Sequence, residues 1–390
     1  MKKLLWVGDA GVPSGFAQAT HNILETLRYQ LDVTVLGINY RGDPHPYPYP
    51  IYAAAPGGDA FGVGRLIWMC DLVKPDVIVF QNDPWNITPY VSLLQHFDEY
   101  KDVPLIGAIA IDGKHCKGKV FNDLALTIFW TEFAREEARL TGHTAPSAVI
   151  PLGVDRNIYY PVDKLEARAR RLKAGYEQAF IVGNVNRNQP RKRLDLTIRY
   201  FAEWVRQFKV EDAYLYLHVA PTGDTGVQVA DLAHYYGVRN KLLLMEPATF
   251  YGISEGEMRD TYNCFDVQVT TTQGEGFGLT TFEGMACGVP QVVPEWSALG
   301  ELTKDAVWQV KCTSTAVGPP YLNVIGGVAD EGLFIQALQA LYSVPHYRAR
   351  NSAAALERAS QPRFNWSVIG ERWQEAVDGV LAGKVEEVTA

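Results

Sequence analysis

Two glutamates in the last third of the chain, Glu275 and Glu283, lie eight residues apart on either side of a glycine-containing turn. The turn, Gly276-Phe277-Gly278, follows an apolar strand-like segment and precedes a segment with helical spacing. A helix that begins after such a turn leaves its first N–H groups, around Leu279 and Thr280, without partners inside the helix, and this end carries partial positive charge. The turn therefore suits an anion such as a diphosphate, and the flanking carboxylates suit the hydroxyls of a sugar.

The segment from Glu275 to Pro290, which ends in Ala286-Cys287-Gly288-Val289-Pro290, resembles the donor-site signature of retaining family 4 glycosyltransferases, which have the GT-B fold. Gly284 stands where that family usually has alanine. Residues 150–155, followed by Tyr160-Pro161, resemble its interdomain linker. The resemblance spans nearly the whole chain. It implies transfer of a sugar from a nucleotide diphosphate sugar to an acceptor hydroxyl, with the anomeric configuration retained.

The resemblance also implies roles for single residues. Glu283 would bind the ribose of the nucleotide, Glu275 would hold hydroxyls of the transferred sugar, and the amides of residues 277–280 would contact sugar and phosphate. The implied donor-binding residues are Gly15, Arg187, Lys192, Glu275, Gly276, Phe277, Gly278, Leu279, Thr280 and Glu283. No Asp-x-Asp metal motif accompanies them in the sequence, so we expect neither a metal nor a tightly bound cofactor.

A basic segment follows another apolar strand-like run and contains Arg187 and Lys192. Family members place an arginine and a lysine here, and the pair neutralises the donor diphosphate, on which negative charge grows as the glycosidic bond breaks. The usual arginine position falls on Asn186 in this chain, so we assign the role to its neighbour Arg187. Arg191 or Arg193 could take its place.

Two further candidates lie in the first half of the chain. Gly15 matches a glycine-rich turn that family members place after the first strand, although a strand-to-helix turn with glycine is also common elsewhere. Asp112 follows the predicted strand Leu105–Ile111, where many relatives have a histidine. Asp112 could accept a hydrogen bond, act as a base toward the acceptor, or be an ordinary turn residue. The predicted catalytic set is Asp112, Arg187, Lys192 and Glu275.

A short basic run indicates where an acceptor could bind. Lys114, Lys117 and Lys119 come directly after Asp112, and Asp83 follows the preceding predicted strand. Cations suit a phosphate-bearing acceptor, such as a lipid phosphate or a nucleic-acid backbone. The alternative is a solvated surface loop.

Aromatic residues in the proline-rich loop 41–50 and beyond it, Tyr47, Tyr49 and Trp85, could stack on an extruded base. Alternatively, this loop is a surface connection without a binding role. Residues 37–44 weakly resemble phage-encoded relatives, some of which glycosylate hydroxymethylated bases in viral DNA. The acceptor hypotheses are therefore DNA with hydroxymethylated bases, a small metabolite or polysaccharide, and a protein or lipid. His218 either lines the donor site or is a core histidine.

Short strand-like runs alternate with helical segments along the chain, and this alternation predicts α/β domains with parallel sheets. Val77–Phe80 is apolar at every position, as a strand buried on both faces should be. The pattern restarts after residue 153. We predict two Rossmann-like doubly wound domains facing across a cleft, an acceptor-side domain 1–152 and a nucleotide-sugar domain 153–364, with a helix in 365–390 that crosses back.

Composition limits the other function classes. The 390 residues carry a net charge of −8, which disfavours a generally basic nucleic-acid binder. The sequence has no apolar stretch of about 18 residues, so we expect no integral membrane association. Five cysteines without a Cys-x-x-Cys pair favour a cytoplasmic protein.

The sequence does not identify the nucleotide of the donor, and we expect UDP only because UDP-sugars are the most common donors. The open alternatives to a transferase are a non-catalytic nucleotide-sugar-binding protein and a nucleotide-sugar epimerase.

Overall fold

The computed structural model describes residues 1–11, 14–219, 225–244, 252–318 and 323–384. The chain divides into two compact units. The first comprises Met1–Gly153 with Arg363–Ala390, and the second comprises Val154–Pro362. Each unit contains a parallel sheet with helices, so the predicted α/β class with two such domains is confirmed.

The first unit contains a seven-stranded, wholly parallel sheet in the order β3-β2-β1-β4-β5-β6-β7. Its central strands are apolar on both faces because helices cover both sides. The strands are β1 (Lys2–Asp9), β2 (Leu31–Ile38), β3 (Ile51–Ala53), β4 (Val77–Asn82), β5 (Leu105–Ile109), β6 (Leu126–Phe129) and β7 (Ser147–Val149). The helices are α1 (Gly15–Leu27), α2 (Leu66–Val73), α3 (Ile87–Gln95), α4 (Glu132–Leu140) and the closing helix α13 (Trp366–Leu381).

The second unit repeats this strand order, β10-β9-β8-β11-β12-β13-β14, and only its last strand is antiparallel. The strands are β8 (Phe180–Val185), β9 (Ala213–His218), β10 (Leu242–Leu244), β11 (Val267–Val269), β12 (Gln291–Glu295), β13 (Trp308–Gly318) and β14 (Val324–Ala329). The helices are α5 (Lys164–Arg171), α6 (Leu194–Phe208), α7 (Val229–Tyr235), α8 (Glu255–Asn263), α9 (Leu279–Ala286), α10 (Ser297–Leu302), α11 (Glu331–Ser343) and α12 (Pro345–Ala359).

Strand order locates the ligand-binding edge of each sheet. In both sheets the order reverses beside the first strand, between β1 and β4 and between β8 and β11. Ligands of open α/β sheets bind outside the carboxyl ends of the strands at such a reversal. In the second unit, the loops that leave β8 and β11 there carry Lys192 and Glu275.

Helix α13 packs within the first unit although it lies far from the rest of that unit in sequence. Trp373 is fully buried, and its ring lies 5.4 Å from that of Trp6 on β1. Gly370 makes close contact with α1 possible, because a Cβ atom there would come within 2.1 Å of Thr26 Oγ1. Arg372 donates a hydrogen bond to the carbonyl of Val149 at 2.8 Å.

Several elements differ from the sequence-based prediction. Strand β5 ends at Ile109, so Asp112 lies in the loop after the strand and not directly at its end. The prediction lacked β3, β6, β7, β13 and β14, and also α3, α5 and α10. The apolar runs 214–220 and 241–246 also predict strands, and the last residues of both runs lie outside the described residues. Helices among the described residues are all too short or too polar to cross a membrane.

Substitution Trp373→Ala tests the docking of α13. It should lower the free energy of unfolding by about 3–5 kcal/mol, because it empties the space of a large buried ring. Urea denaturation measures the change. The control Glu371→Ala alters an exposed residue of the same helix and should stay within about 0.5 kcal/mol of the unsubstituted chain. Equal effects of the two substitutions would contradict the packing described for α13.

Candidate donor site

Glu275 lies in the loop after β11, and only 8% of the residue is exposed. Its backbone N–H donates to Ser297 Oγ at 3.0 Å, and its carbonyl accepts from the same hydroxyl at 3.2 Å. Two residues earlier, the N–H of Gln273 donates to the carbonyl of Arg191 at 2.8 Å. These bonds fix the loop on both sides of the glutamate.

The Glu275 carboxylate accepts hydrogen bonds from two cations. Lys192 Nζ lies 2.5 Å from Oε1, and a guanidinium nitrogen of Arg191 lies 3.2 Å from Oε2. The side chains of Lys192 and Glu275 are only 11% and 10% exposed, so the pair is largely removed from water. Burial acts to raise the pKa of Glu275, but the two cations outweigh it and lower the pKa to about 2. Glu275 is therefore a carboxylate at neutral pH.

The turn after Glu275 leads directly into α9. Gly278 has a φ of 99°, a left-handed conformation that favours glycine, and no side chain caps the helix that starts at Leu279. Phe277 is buried and stacks on Phe282 with a ring-centroid distance of 4.6 Å, which fixes the turn from inside. The first backbone N–H groups of α9 therefore follow closely after Glu275 in the chain. This is the arrangement that the sequence predicts for an anion-binding helix start.

Glu283 lies one helical turn into α9 and is 6% exposed. The hydroxyl of Tyr262 donates to its Oε2 atom at 2.5 Å. Gly284, the residue that departs from the family pattern, has a packing reason. A Cβ atom there would lie 1.8 Å from Oε1 of Gln268, a buried side chain held by Gln291.

The basic segment is divided among different partners. Residues 190–192 form a single 3-10 turn that directs Lys192 inward. Arg193 instead pairs with Asp195 at 2.8 Å. Arg187 is exposed in the loop directly after β8, whereas Asn186 is buried and bonds to Asn184 at 2.7 Å. Of the two predicted cations, the structure brings Lys192 to Glu275, and Arg191 fills the second position.

In the first unit, Gly15 is the first residue of α1, and Ser14 caps that helix by accepting the N–H of Ala17 at 3.1 Å. Ser14 also donates to Asp9 at 2.6 Å, which ties the helix start to the end of β1. Residues 12 and 13 of the predicted turn lie outside the described residues. Asp83 follows β4, so Gly15 and Asp83 both lie at the carboxyl edge of the first sheet, beside its reversal point.

The predicted acceptor segment presents its lysines outward. Lys114, Lys117 and Lys119 are exposed, while the intervening Cys116 and Gly118 are buried. Gly118 donates to Thr141 Oγ1 at 2.8 Å, just after α4, and a Cβ atom there would clash with the carbonyl of Ala138 at 2.0 Å. The segment is therefore pinned at its centre, with its cations on the surface.

The rings predicted to stack on a base differ in accessibility. Tyr49 is 5% exposed, and its hydroxyl lies 2.8 Å from Nδ1 of His21, so its role is internal packing. Tyr47 stacks on His21 with a centroid distance of 3.4 Å. Trp85 remains 38% exposed.

His218 is half-buried at the end of β9, where burial lowers its pKa to about 4, as expected for a histidine that packs in the interior.

Sequence reasoning missed the strand pair β13–β14. Gly327 on β14 donates to the carbonyl of Gln273 at 2.8 Å, although two strands separate β14 from β11 in the sheet. This hydrogen bond places the strand pair β13–β14 across the carboxyl end of β12. A Cβ atom on Gly327 would lie 2.5 Å from the ring of Trp296. The two consecutive glycines at 326 and 327 were the available signal for such a close approach.

Within the described ranges, no three His, Cys, Asp or Glu side chains cluster closely enough to hold a metal ion. The charges around Glu275 come instead from lysine and arginine.

The Lys192–Glu275 pair yields a direct energetic prediction. Lys192→Met should lower the free energy of unfolding by about 3 kcal/mol, because it leaves the buried carboxylate with only the longer contact to the partly exposed Arg191. The double variant Lys192→Met/Glu275→Gln should lose much less than the sum of the two single losses. Urea denaturation of the full cycle gives the coupling energy. Arg193→Met, which breaks the more exposed pair with Asp195, is the control and should cost at most about 1 kcal/mol. Additive losses would contradict the pair.

Comparison with known proteins provides the family. The family described as "Family 4 Glycosyltransferase in conflict systems" matches residues 131–372, more than half of the chain. The chain is 32% identical over 225 residues to a D-inositol 3-phosphate glycosyltransferase from Stackebrandtia nassauensis, a match that covers 56% of this chain and 45% of the relative. The corresponding enzyme from Kribbella flavida is 30% identical over 246 residues, covering 62% and 53%. The chain thus spans about half the length of these curated relatives.

Solved structures show the same fold. A sucrose-phosphate synthase from Thermosynechococcus elongatus superposes with a TM-score of 0.76 at 16% identity, covering 98% of this chain and all of the other. Anabaena HepE in complex with UDP-glucose gives a TM-score of 0.73 at 17% identity, covering 97% and 100%. These likenesses confirm the GT-B fold. With the family match over residues 131–372, they lead to one conclusion: the chain belongs to the family 4 glycosyltransferases in conflict systems.

Proposed function

We propose that this chain transfers a sugar from a UDP-sugar to an acceptor hydroxyl with retention of the anomeric configuration. The observation that carries the proposal is the buried Lys192–Glu275 pair, which lies at the reversal point of the second sheet and just before an uncapped helix start. Retention is supported by the resemblance of residues 275–290 to retaining transferases. UDP is supported by the solved neighbour that contains UDP-glucose.

Lys192 can serve the carboxylate and a phosphate together. Its ammonium group has three N–H donors, so it can keep its 2.5 Å contact with Glu275 and still donate to a diphosphate oxygen. The N–H groups at the start of α9 and the exposed Arg187 would add further positive potential. Glu283, one turn into the helix, would accept from the ribose hydroxyls.

Glu275 would act as an acceptor and not as an acid. Its pKa of about 2 keeps it ionised, so it can hold sugar hydroxyls but has no proton to donate. In the proposed step the bond between the anomeric carbon and the phosphate oxygen breaks, and the acceptor oxygen bonds to the same face of that carbon. The departing phosphate oxygen takes the acceptor proton. Lys192, Arg187 and the helix amides stabilise the charge that grows on the diphosphate.

A phosphate-bearing acceptor is supported by the surface segment around Gly118, where three exposed lysines surround a buried centre. Lysine clusters of this kind attract phosphate without reading sequence. We infer that the acceptor is a hydroxymethylated base in DNA, which the exposed lysines and the weak resemblance of residues 37–44 to phage-encoded relatives support. Asp112, which precedes the segment, would contact the acceptor hydroxyl. The names of the curated relatives support inositol 3-phosphate as the second candidate.

Two substitutions test the donor assignment. Lys192→Ala should lower turnover by about 100-fold or more, since an electrostatic contact to a leaving group is typically worth several kcal/mol. Glu283→Ala should mainly weaken UDP binding, because the ribose contacts are made before the reaction. Calorimetry with UDP and release of UDP from UDP-glucose measure the two effects. Arg193→Ala, whose guanidinium pairs with Asp195, is the matched control and should change neither.

Three outcomes separate the possibilities. UDP binding with donor hydrolysis supports the transferase proposal. UDP binding without any hydrolysis or transfer favours the non-catalytic binding protein. Full turnover in the Lys192→Ala variant would overturn the role of that lysine.

The acceptor segment is tested by changing Lys114, Lys117 and Lys119 to alanine. Transfer from UDP-glucose to DNA containing 5-hydroxymethylcytosine should fall sharply and lose most of its salt dependence, because each phosphate contact contributes to the salt slope. A variant with Lys2, Lys3 and Lys101 changed to alanine removes three exposed charges elsewhere in the same unit. Transfer to inositol 3-phosphate and not to DNA would select the second acceptor. DNA transfer that is equal in both triple variants would discard the segment as the docking site.

A further inference from the structure

We propose that Ser297 is a positioning residue that sets the main chain of Glu275 for contact with the transferred sugar, and that the site thereby distinguishes a UDP-sugar from UDP. The inference rests on the proposed function, in which Glu275 holds sugar hydroxyls. It gives a role to a residue that lies outside the motif of residues 275–290.

Ser297 has a backbone conformation that residues other than glycine rarely adopt. It is the first residue of α10, and its φ is 47°, in the left-handed region. A Cβ atom is disfavoured there, and such strain persists only where the surrounding structure enforces it. Glycine would adopt this conformation without strain. The serine therefore makes the fold less stable than glycine would, unless its side chain supplies compensating contacts.

The hydroxyl of Ser297 supplies such contacts to both backbone polar groups of Glu275. Its Oγ accepts from the N–H of Glu275 at 3.0 Å and donates to the carbonyl of Glu275 at 3.2 Å. Ser297 is 6% exposed, so water cannot readily replace the hydroxyl. One side chain thus fixes the main chain of Glu275, whereas Lys192 and Arg191 hold its carboxylate.

Neighbouring elements hold the turn before α10 in this conformation. The N–H of Trp296 donates to the carbonyl of Pro294 at 2.9 Å, and the carbonyl of Trp296 accepts from the N–H of Gly300 at 3.1 Å. The ring of Trp296 packs against Gly327 on β14, where a Cβ atom would lie only 2.5 Å from it. The strand pair β13–β14 therefore fixes Trp296, and with it the left-handed residue that follows.

The position of the Glu275 main chain affects the two parts of the donor differently. The diphosphate would contact Lys192, whose long and flexible side chain can follow a small shift of the loop. The sugar would contact Glu275 itself, and a misplacement of about 1 Å at a reacting group can lower a rate about 100-fold. Loss of the Ser297 hydroxyl should therefore weaken the sugar contact and leave the nucleotide contact nearly unchanged.

Calorimetric titration with UDP and with UDP-glucose tests the proposal, together with the rate at which UDP is released from UDP-glucose. Ser297→Ala removes the hydroxyl and keeps the backbone strain, whereas Ser297→Gly removes both. Each variant should lower the affinity for UDP-glucose relative to UDP by about fivefold or more, because a buried backbone N–H loses its partner. Turnover should fall by about tenfold or more. The affinity for UDP itself should change by less than about twofold.

Thermal unfolding separates positioning from a structural role. Ser297→Gly should unfold at a higher temperature than Ser297→Ala, because it relieves the left-handed strain, but it should lose as much of the sugar contact. The control Asp305→Gly relieves the same kind of strain at an exposed residue with a φ of 63°. The control Thr303→Val removes a buried hydroxyl that donates to the carbonyl of Leu299 at 2.6 Å. Both controls should keep the sugar preference and the turnover.

The results separate this inference from the proposed function. An unchanged sugar preference in both serine variants would overturn the inference and leave the donor assignment intact. Equal weakening of UDP and UDP-glucose would reduce Ser297 to a structural role and overturn it as well, as would a Ser297→Gly variant with the full sugar contact. A chain that binds no UDP would contradict the proposed function, and the inference would fall with it. Ser297→Gly provides the test if Ser297→Ala does not fold.

Discussion

The candidate donor site of this protein depends on one buried ion pair, between Lys192 and Glu275. The two residues come from loops after β8 and β11, the strands between which the order of the second sheet reverses. Each side chain is only about a tenth exposed, so either charge without its partner would lower the stability of the fold. Together the two charges hold the two loops against each other. The turn at Gly278 and the start of α9 follow directly, so their position is fixed by the same pair.

The second carboxylate is held by a different means. The hydroxyl of Tyr262 donates to Glu283, whereas Lys192 and Arg191 donate to Glu275. This difference matches the tasks that we propose for them. A carboxylate whose charge is balanced can lie beside an anionic diphosphate, and a carboxylate that keeps its charge binds neutral hydroxyls strongly. The two glutamates of one motif thus have different hydrogen-bond partners, which their eight-residue spacing alone does not reveal.

Much of the fold was predictable because apolar runs and helical spacing are local signals. The apolar run 180–185 predicts a strand and the spacing of residues 194–208 predicts a helix, and both elements have these bounds in the structure. The motif around Gly278 lies at a strand-to-helix turn as expected. The partners of the motif were not predictable in the same way. In the sequence, Tyr262 looks like an ordinary core residue. Arg191 looks like its basic neighbours, and only the 3-10 turn of residues 190–192 sets the direction of its side chain. Such contacts depend on packing between distant segments.

The state of Glu275 is the point on which this account can be tested most directly. Carboxyl ¹³C NMR of glutamate-labelled protein, assigned by the Glu275→Gln variant, measures its titration in the free chain. A pKa of about 2 predicts that the signal keeps its ionised position as the pH falls to about 3.5, while a Lys192→Met variant titrates at higher pH. Titration of Glu275 near the ordinary glutamate value in the unsubstituted chain would contradict the ion pair and the donor site built around it.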